Sequence, residues 1–153
     1  VEILTRPGFE RWRGGLNFNF NDESLNSRNP FALNRAPSQT RNFGGNFGGP
    51  IKSKKASFWF DMNYNQNDNT NVITASVLDA SNNIVGFVQD VTTPSRRFSF
   101  GPRVDFAINE NNTLQTRYEF SRNTVDNQGI GGFNLLSRAS SSTNTSHEFR
   151  MTE

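Results

Sequence analysis

Three carboxylates of this 153-residue chain, Asp105, Glu119 and Glu148, stand two positions from an arginine, and a fourth, Asp61, lies in another run where polar and apolar residues alternate. Two carboxylates that face each other across a cleft would suit a glycan hydrolase. Carboxylates that alternate with arginines on one face are instead expected to form ion pairs. We therefore predict a structural role for the set and no enzyme activity; its four carboxylates are Asp61, Asp105, Glu119 and Glu148.

Other kinds of chemical site find little support in the sequence. The chain has no Cys, which excludes a disulfide, a thiolate zinc site and a cysteine nucleophile. His147 is the single histidine, and we expect it to be an interfacial or lumen residue and not a metal ligand. The glycine-rich stretch 43–50 lacks the Lys-Ser/Thr of a phosphate loop. We predict no metal and no cofactor, and a net charge of +2 is too small to indicate nucleic acid.

Six segments position these residues, and in each of them apolar and polar side chains alternate with a period of two. That period is typical of strands with two different faces. The segments are 10 to 13 residues long, whereas a usual strand has about 5 to 6 residues and a tilted strand that crosses a bilayer needs about 9 to 11. The predicted strands are 11–20, 42–51, 56–65, 96–108, 113–123 and 143–153.

The alternation divides the side chains into two sets. Eleven of the 15 Phe residues lie on the apolar register. We predict a lipid-facing set of Trp12, Phe18, Phe20, Phe47, Phe58, Phe60, Phe100, Phe106 and Phe120. We predict a polar set that faces a lumen or a plug, composed of Arg11, Arg13, Asp61, Arg103, Asp105, Arg117 and Glu119.

Short and long connections also alternate. The short ones are 52–55 and 109–112, and the long ones are 21–41, 66–95 and 124–142, with two apolar bursts in 66–95 that favour a hairpin. In hydrocarbon all backbone polar groups must pair within the protein, so strands cross a membrane only as closed barrels. The predicted fold is all-β: an antiparallel up-and-down transmembrane β-barrel segment, about six strands of a larger barrel, with long extracellular loops and short periplasmic turns.

Register and local breaks can be predicted at three places. Facing residues in the fourth and fifth strands must have numbers with an even sum, because side chains of one face pair with each other. A sum of 222 would place Asp105 opposite Arg117, with Asn112 in the left-handed conformation of a three-residue loop. We also expect rings from the third strand to cover Gly45 and Gly49, and a bulge or a local break at Pro102.

Taken in order, several motifs resemble the TonB-dependent outer-membrane receptors, in the branch with an N-terminal carboxypeptidase-regulatory-like domain. The resemblance covers nearly the whole chain; the motifs are 1–8, Trp12-Arg13-Gly14-Gly15, 21–31, 43–51, 57–61, 111–114 and 127–132. It implies that residues 1–8 end a plug domain and that residues 9–153 are the N-terminal portion of the transmembrane barrel.

The same resemblance implies a function and its partners. A receptor of this family lies in the bacterial outer membrane and takes up a bulky ligand such as a carbohydrate, a peptide or a siderophore. The implied partners are the membrane lipid, the protein's own plug and remaining barrel strands, and TonB, which supplies the energy.

A second hypothesis comes from a different class of protein. A secreted soluble β-sandwich or an adhesin-like binding module also has alternating strands. In that fold the strands would be shorter and the apolar faces would pack against each other.

Overall fold

The computed structural model describes residues 11–25, 38–52 and 55–153, so the predicted plug segment 1–8 lies outside them. The described chain is all-β: six antiparallel strands follow one another in a single up-and-down sheet in sequence order. The strands are β1 (Arg13–Asp22), β2 (Gln39–Lys52), β3 (Ala56–Leu78), β4 (Ile84–Ala107), β5 (Thr113–Gln128) and β6 (Ser140–Thr152). Two single turns of 3-10 helix, Glu23–Leu25 and Leu136–Arg138, accompany them. Among these residues no helix is long and apolar enough to cross a membrane.

The pairing of the strands brings the apolar registers onto one face of the sheet. Phe43 of β2 lies opposite Phe18 on one side and Tyr64 on the other, and Tyr64 in turn faces Phe98 of β4. We call this side the aromatic face. The opposite side, where Asp61, Arg103 and Arg117 lie, is the charged face. The sheet is not closed, because β1 and β6 form its two edges.

The stretch 66–95 is strand and not a loop. β3 has 23 residues and β4 has 24, and their pairing continues without interruption to Leu78 opposite Ile84. The hairpin that the apolar bursts favour is therefore present, but the long connection predicted there is reduced to the turn 79–83. Asp79 organises this turn, since its Oδ1 accepts hydrogen bonds from the backbone N–H groups of Ser81 and Asn83, each at 2.8 Å.

The connection after β5 folds back onto this hairpin. Within it, a segment that we call the strap (residues 129–134) pairs with β3: Gly132 donates its N–H to the carbonyl of Val72 (3.0 Å) and accepts from the N–H of Thr74 (2.7 Å). The strap covers Ile73, which is completely buried, and its own Ile130 is 7% exposed. In the part of the chain that the structure describes, these are the buried apolar side chains.

The predicted register between β4 and β5 is wrong by two residues. Asp105 faces Gln115, and Arg103 faces Arg117, so the paired numbers sum to 220. Both sums keep the same faces, so the apolar pattern could not distinguish them. The turn decides: Oδ1 of Asn109 accepts from the N–H groups of Asn111 and Asn112. The connection is thus the five residues 108–112, and Asn112 does not have the positive φ that we expected.

Pro102 interrupts one ladder and leaves the other intact. It pairs with Phe60 of β3, whereas the pairing of β4 with β5 lapses at Gly101 and Pro102 and resumes at Arg103 in the same register. The expected local break is present without a bulge. A proline placed so that its missing N–H faces one neighbour costs a ladder hydrogen bond on that side only.

Cysteine pairs can test the corrected register, because the chain contains no native Cys. We expect Ser99→Cys with Ser121→Cys to form a disulfide under mild oxidation, since these residues are directly opposite and such Cα atoms lie about 4.5–5.5 Å apart. The matched control, Ser99→Cys with Asn123→Cys, is offset by two residues and should remain reduced. Mass spectrometry of the cross-linked peptides reads out both, and the opposite result would restore the sum of 222.

The hairpin tip should depend on the charge of Asp79. Backbone hydrogen bonds from Asn83 and Ser81 lower the pKa of this carboxyl below its ordinary value of 3.8. The carboxylate therefore stabilises the turn fully above pH 3.8, and this stabilisation is lost as the pH falls through the lower folded pKa.

Substitution of Asp79 tests the same contact at neutral pH. Asp79→Ala should speed hydrogen exchange in residues 76–86, while Asp79→Asn, which keeps a side-chain acceptor, should change it less. Equal exchange in both variants and the parent chain would contradict a role for this side chain in the turn.

Candidate functional site

Charges of like sign lie side by side across the charged face. Arg103, Arg117 and Arg150 occupy directly opposite positions on β4, β5 and β6. Glu119 and Glu148 are opposite each other two residues along. Like charges directly opposite in a sheet destabilise it. This arrangement therefore needs compensating partners in another direction.

That compensation runs along each strand. Arg103 forks onto Asp105 with Nε–Oδ1 at 2.9 Å and Nη2–Oδ2 at 2.7 Å. Arg117 and Glu119 approach to 3.3 Å, and Arg150 pairs with Glu148 in the same way. Each pair joins residues two apart. Glu119 and Glu148 lie on one side of the arginine row, and Asp105 lies on the other. The ion pairs that we expected are present, but along the strands and not across them.

Asp105 is the most deeply placed of these carboxylates, with 6% of its surface exposed. Besides Arg103, it accepts a hydrogen bond from Nε2 of Gln115, which faces it across the ladder, at 3.1 Å. Buried charges are tolerated when they are paired and hydrogen-bonded in this way. Asp105 therefore holds Arg103 in place, which agrees with the structural role predicted for it.

A shallow cavity of about 360 Å³ opens beside this pair. It brings together Asp61, Arg103 and Arg117 from the predicted polar set and adds two residues that the sequence reasoning missed, Asn46 and Trp59. Arg11 and Arg13 do not line it, and Glu119 contributes as the partner of Arg117. Trp59 is a large apolar residue in the otherwise polar register of β3. This exception in the sequence pattern could have identified it as a residue of the site.

Glycine makes room for the indole ring of Trp59. A Cβ atom on Gly48 would collide with the ring of Trp59 and would lie 2.6 Å from the carbonyl oxygen of Phe58. The ring therefore packs against the backbone of β2 at Gly48. A carboxylate, an amide and two guanidinium groups surround it, which suits hydrogen bonding to a polar polypeptide or sugar surface. Within the described ranges, no group of three or more His, Cys, Asp or Glu is placed to hold a metal ion.

The aromatic face carries all nine residues of the predicted lipid-facing set. Trp12 stacks on Phe47 with ring centroids 5.2 Å apart and meets the edge of Phe58 at 5.6 Å. Phe100 and Phe120 form a second cluster with centroids 5.2 Å apart. The face is nevertheless open: Leu16 and Phe18 are 82% and 70% exposed.

Two details of this face differ from the sequence expectations. Phe58 does lie opposite Gly49, but side chains of the β1 segment cover the glycines, with Trp12 over Gly49 and Leu16 over Gly45. His147 faces Phe120, and its Nδ1 is 2.7 Å from the hydroxyl of Tyr118. The histidine therefore belongs to the aromatic face and does not lie on the charged side of the sheet.

Comparisons of the chain with protein-family models, curated proteins and solved structures gave no match. The resemblance to TonB-dependent receptors therefore stays a prediction from the sequence. The geometry of the two faces has to carry any functional argument.

The seat of Trp59 can be tested with a pair of glycine variants. Gly48→Ala should displace the indole ring and lower the free energy of unfolding by about 1–3 kcal/mol, the usual cost of overpacking. Gly15→Ala is the control, because a Cβ there would meet Asn46 Oδ1 at an ordinary 3.7 Å. Unfolding in denaturant, with the fluorescence of Trp59 followed in a Trp12→Phe background, measures both effects. Equal stability of the two variants would rule out the proposed packing.

Proposed function

We propose that this chain is part of a larger transmembrane β-barrel in the bacterial outer membrane, and that the whole protein is a TonB-dependent receptor for a bulky ligand. The observation that carries the proposal is the contrast between the two faces. Large apolar side chains are exposed on one face, while charges and amides occupy the other. No element within residues 11–25, 38–52 and 55–153 covers the aromatic face.

The height of the aromatic face fits a bilayer. Along β4 and the residue that follows it, the apolar register runs from Phe98 to Ile108, eleven residues, which is about 34 Å at roughly 3.4 Å per residue. With strands tilted by roughly 35–45°, the band is about 24–28 Å tall, close to the roughly 25 Å of outer-membrane barrels. Lipid on this side would provide the apolar contacts that a core provides elsewhere.

The edges of the sheet also favour a larger barrel. β1 and β6 each have one neighbour, and unpaired edges with an apolar face are sites of aggregation. Further strands of the same protein would pair these edges and close the barrel. A lumen lined by charges at several heights is wide enough to hold a plug, as barrels of about 22 strands do.

The plug is the occupant we propose for the charged face. Arginines aligned on three strands attract carboxylates from a facing element, and the cavity at Trp59 offers a place for one such side chain. The charged face would thus dock the plug. The ligand, a carbohydrate, a peptide or a siderophore, would enter at the end of the sheet that carries the β3–β4 hairpin, and TonB would act from the opposite side.

Labels on neighbouring residues of β1 can test the proposal. Leu16 lies on the aromatic face and Asn17 on the charged face. In the full-length protein reconstituted in bilayers, a fluorophore on Leu16→Cys should be quenched by brominated lipid chains. One on Asn17→Cys, the matched control, should not.

Two outcomes would contradict the proposal. A monodisperse monomer in water without detergent would favour a soluble β-sandwich, in which a second layer covers the aromatic face. Equal quenching at both positions would mean that the sheet does not separate lipid from an aqueous interior.

A further inference from the structure

Three arginines end the aromatic face on the side of the β3–β4 hairpin. Arg41 lies opposite Phe20, Arg96 lies two residues beyond Phe98, and Arg122 faces Phe98 across the ladder. Gln66 stands between Arg41 and Arg96 in the same row. All three arginine side chains are exposed. We call Arg41, Arg96 and Arg122 the arginine collar.

The collar has few strong partners in the protein. Arg96 approaches Asp126 at 3.8 Å, and their side chains are 48% and 35% exposed, so water weakens this pair. Arg41 donates to Gln39, and it is Gln39 that donates onward to Asp22. Among the described residues, Arg122 makes no ion pair of 4.0 Å or less. The guanidinium groups therefore keep donors for an external anion.

The other end of the aromatic face is different. Its last side chains include Ile51, Phe106 and Leu114, and the basic residue there is Lys52, which pairs with Ala56 opposite Phe106. In the described ranges, the arginines of this face lie at the hairpin end. The guanidinium groups thus stand at one boundary of the apolar band and on its outer side. Carboxylates on the same face, Asp22 and Asp68, lie one row farther from the band and are bonded by Gln39 and Gln66.

We infer that the arginine collar binds phosphate groups of lipid headgroups in the leaflet beside the β3–β4 hairpin. The inference rests on the proposed function, because it needs lipid against the aromatic face. In a bilayer, phosphate groups lie where the hydrocarbon ends, which is the level of the collar. The planar guanidinium donates two parallel hydrogen bonds to phosphate oxygens, and each basic residue near a charged membrane surface strengthens binding.

The test uses the full-length protein in detergent and measures retained lipid by native mass spectrometry. The probes are lipid A with two phosphates, which is the phosphorylated lipid of a bacterial outer leaflet, and the same lipid with its phosphates removed. Arg96→Gln should weaken binding of the phosphorylated lipid by about fivefold, and Gln in place of all three arginines should weaken it further. Arg97→Gln removes the same charge from the adjacent residue, which lies on the charged face, and should leave binding unchanged.

The outcomes separate this inference from the proposed function. Equal binding by the Arg96→Gln and Arg97→Gln variants, or equal retention of the two lipids by the parent protein, would overturn the inference while lipid quenching at residue 16 still supported the barrel. Full competition by millimolar inorganic phosphate would show a site for the free ion and would also overturn it. Absence of lipid quenching at residue 16 would contradict both the proposed barrel and the binding of lipid by the arginine collar. Circular dichroism of each variant confirms that the strands remain folded.

Discussion

The structure depends on one constraint, the alternation of side chains along paired strands. Because each residue points to the face opposite its neighbour, any pairing that keeps like faces together places every second side chain of six strands on the same side. The ladders from β1 to β6 obey this rule except at two register shifts, between Pro50 and Lys52 and between Val125 and Gln128. The sheet is held by these ladders, and its apolar side chains remain exposed because no second layer is formed by the described residues. Aromatic clusters such as Trp12 with Phe47 add contacts between strands but do not amount to a core.

The same constraint explains what the sequence could and could not predict. The two faces follow from parity alone, so the membership of Phe18, Phe60 and Phe106 on one side could be predicted correctly. The exact register cannot be read from the alternation in the same way. Pairings of β4 with β5 whose residue numbers sum to 220 or to 222 place the same side chains on each face. The Asn109 side chain selects between them by capping the turn, and an Asn-rich turn offers several equivalent ways to do so. The extent of β3 was underestimated because polar residues such as Asn67 and Asn69 resemble a loop in sequence, although they pair fully with β4.

The candidate site shows how a shift of two residues changes the chemistry of a surface. In the predicted register Arg117 would have faced Asp105 and Arg103 would have faced Glu119, so β4 and β5 would have carried a mosaic of neutral pairs. In the observed register the pairs run along the strands, so the arginines form a stripe across β4, β5 and β6 with carboxylates on both sides of it. On a striped face, the electrostatic attraction for a charged partner depends on where the partner lies along the strands. On a mosaic of neutral pairs it does not. Trp59 and Gly48 add a fixed apolar contact in the middle of this pattern.

The distribution of apolar side chains between the two faces changes along the β3–β4 hairpin. Below the arginine collar, apolar side chains of β3 such as Phe60 and Met62 lie on the aromatic face. Beyond it, the larger apolar share lies on the opposite face, where Ile73 is buried under the strap while Val72 remains exposed. The strap accounts for the burial of Ile73 on that face. Under the proposed function, hydrocarbon against one face below the collar and water against the same face above it would favour the same exchange, because apolar groups are more stable away from water. The collar lies at the level where the polarity of the two faces changes, where lipid headgroups would be.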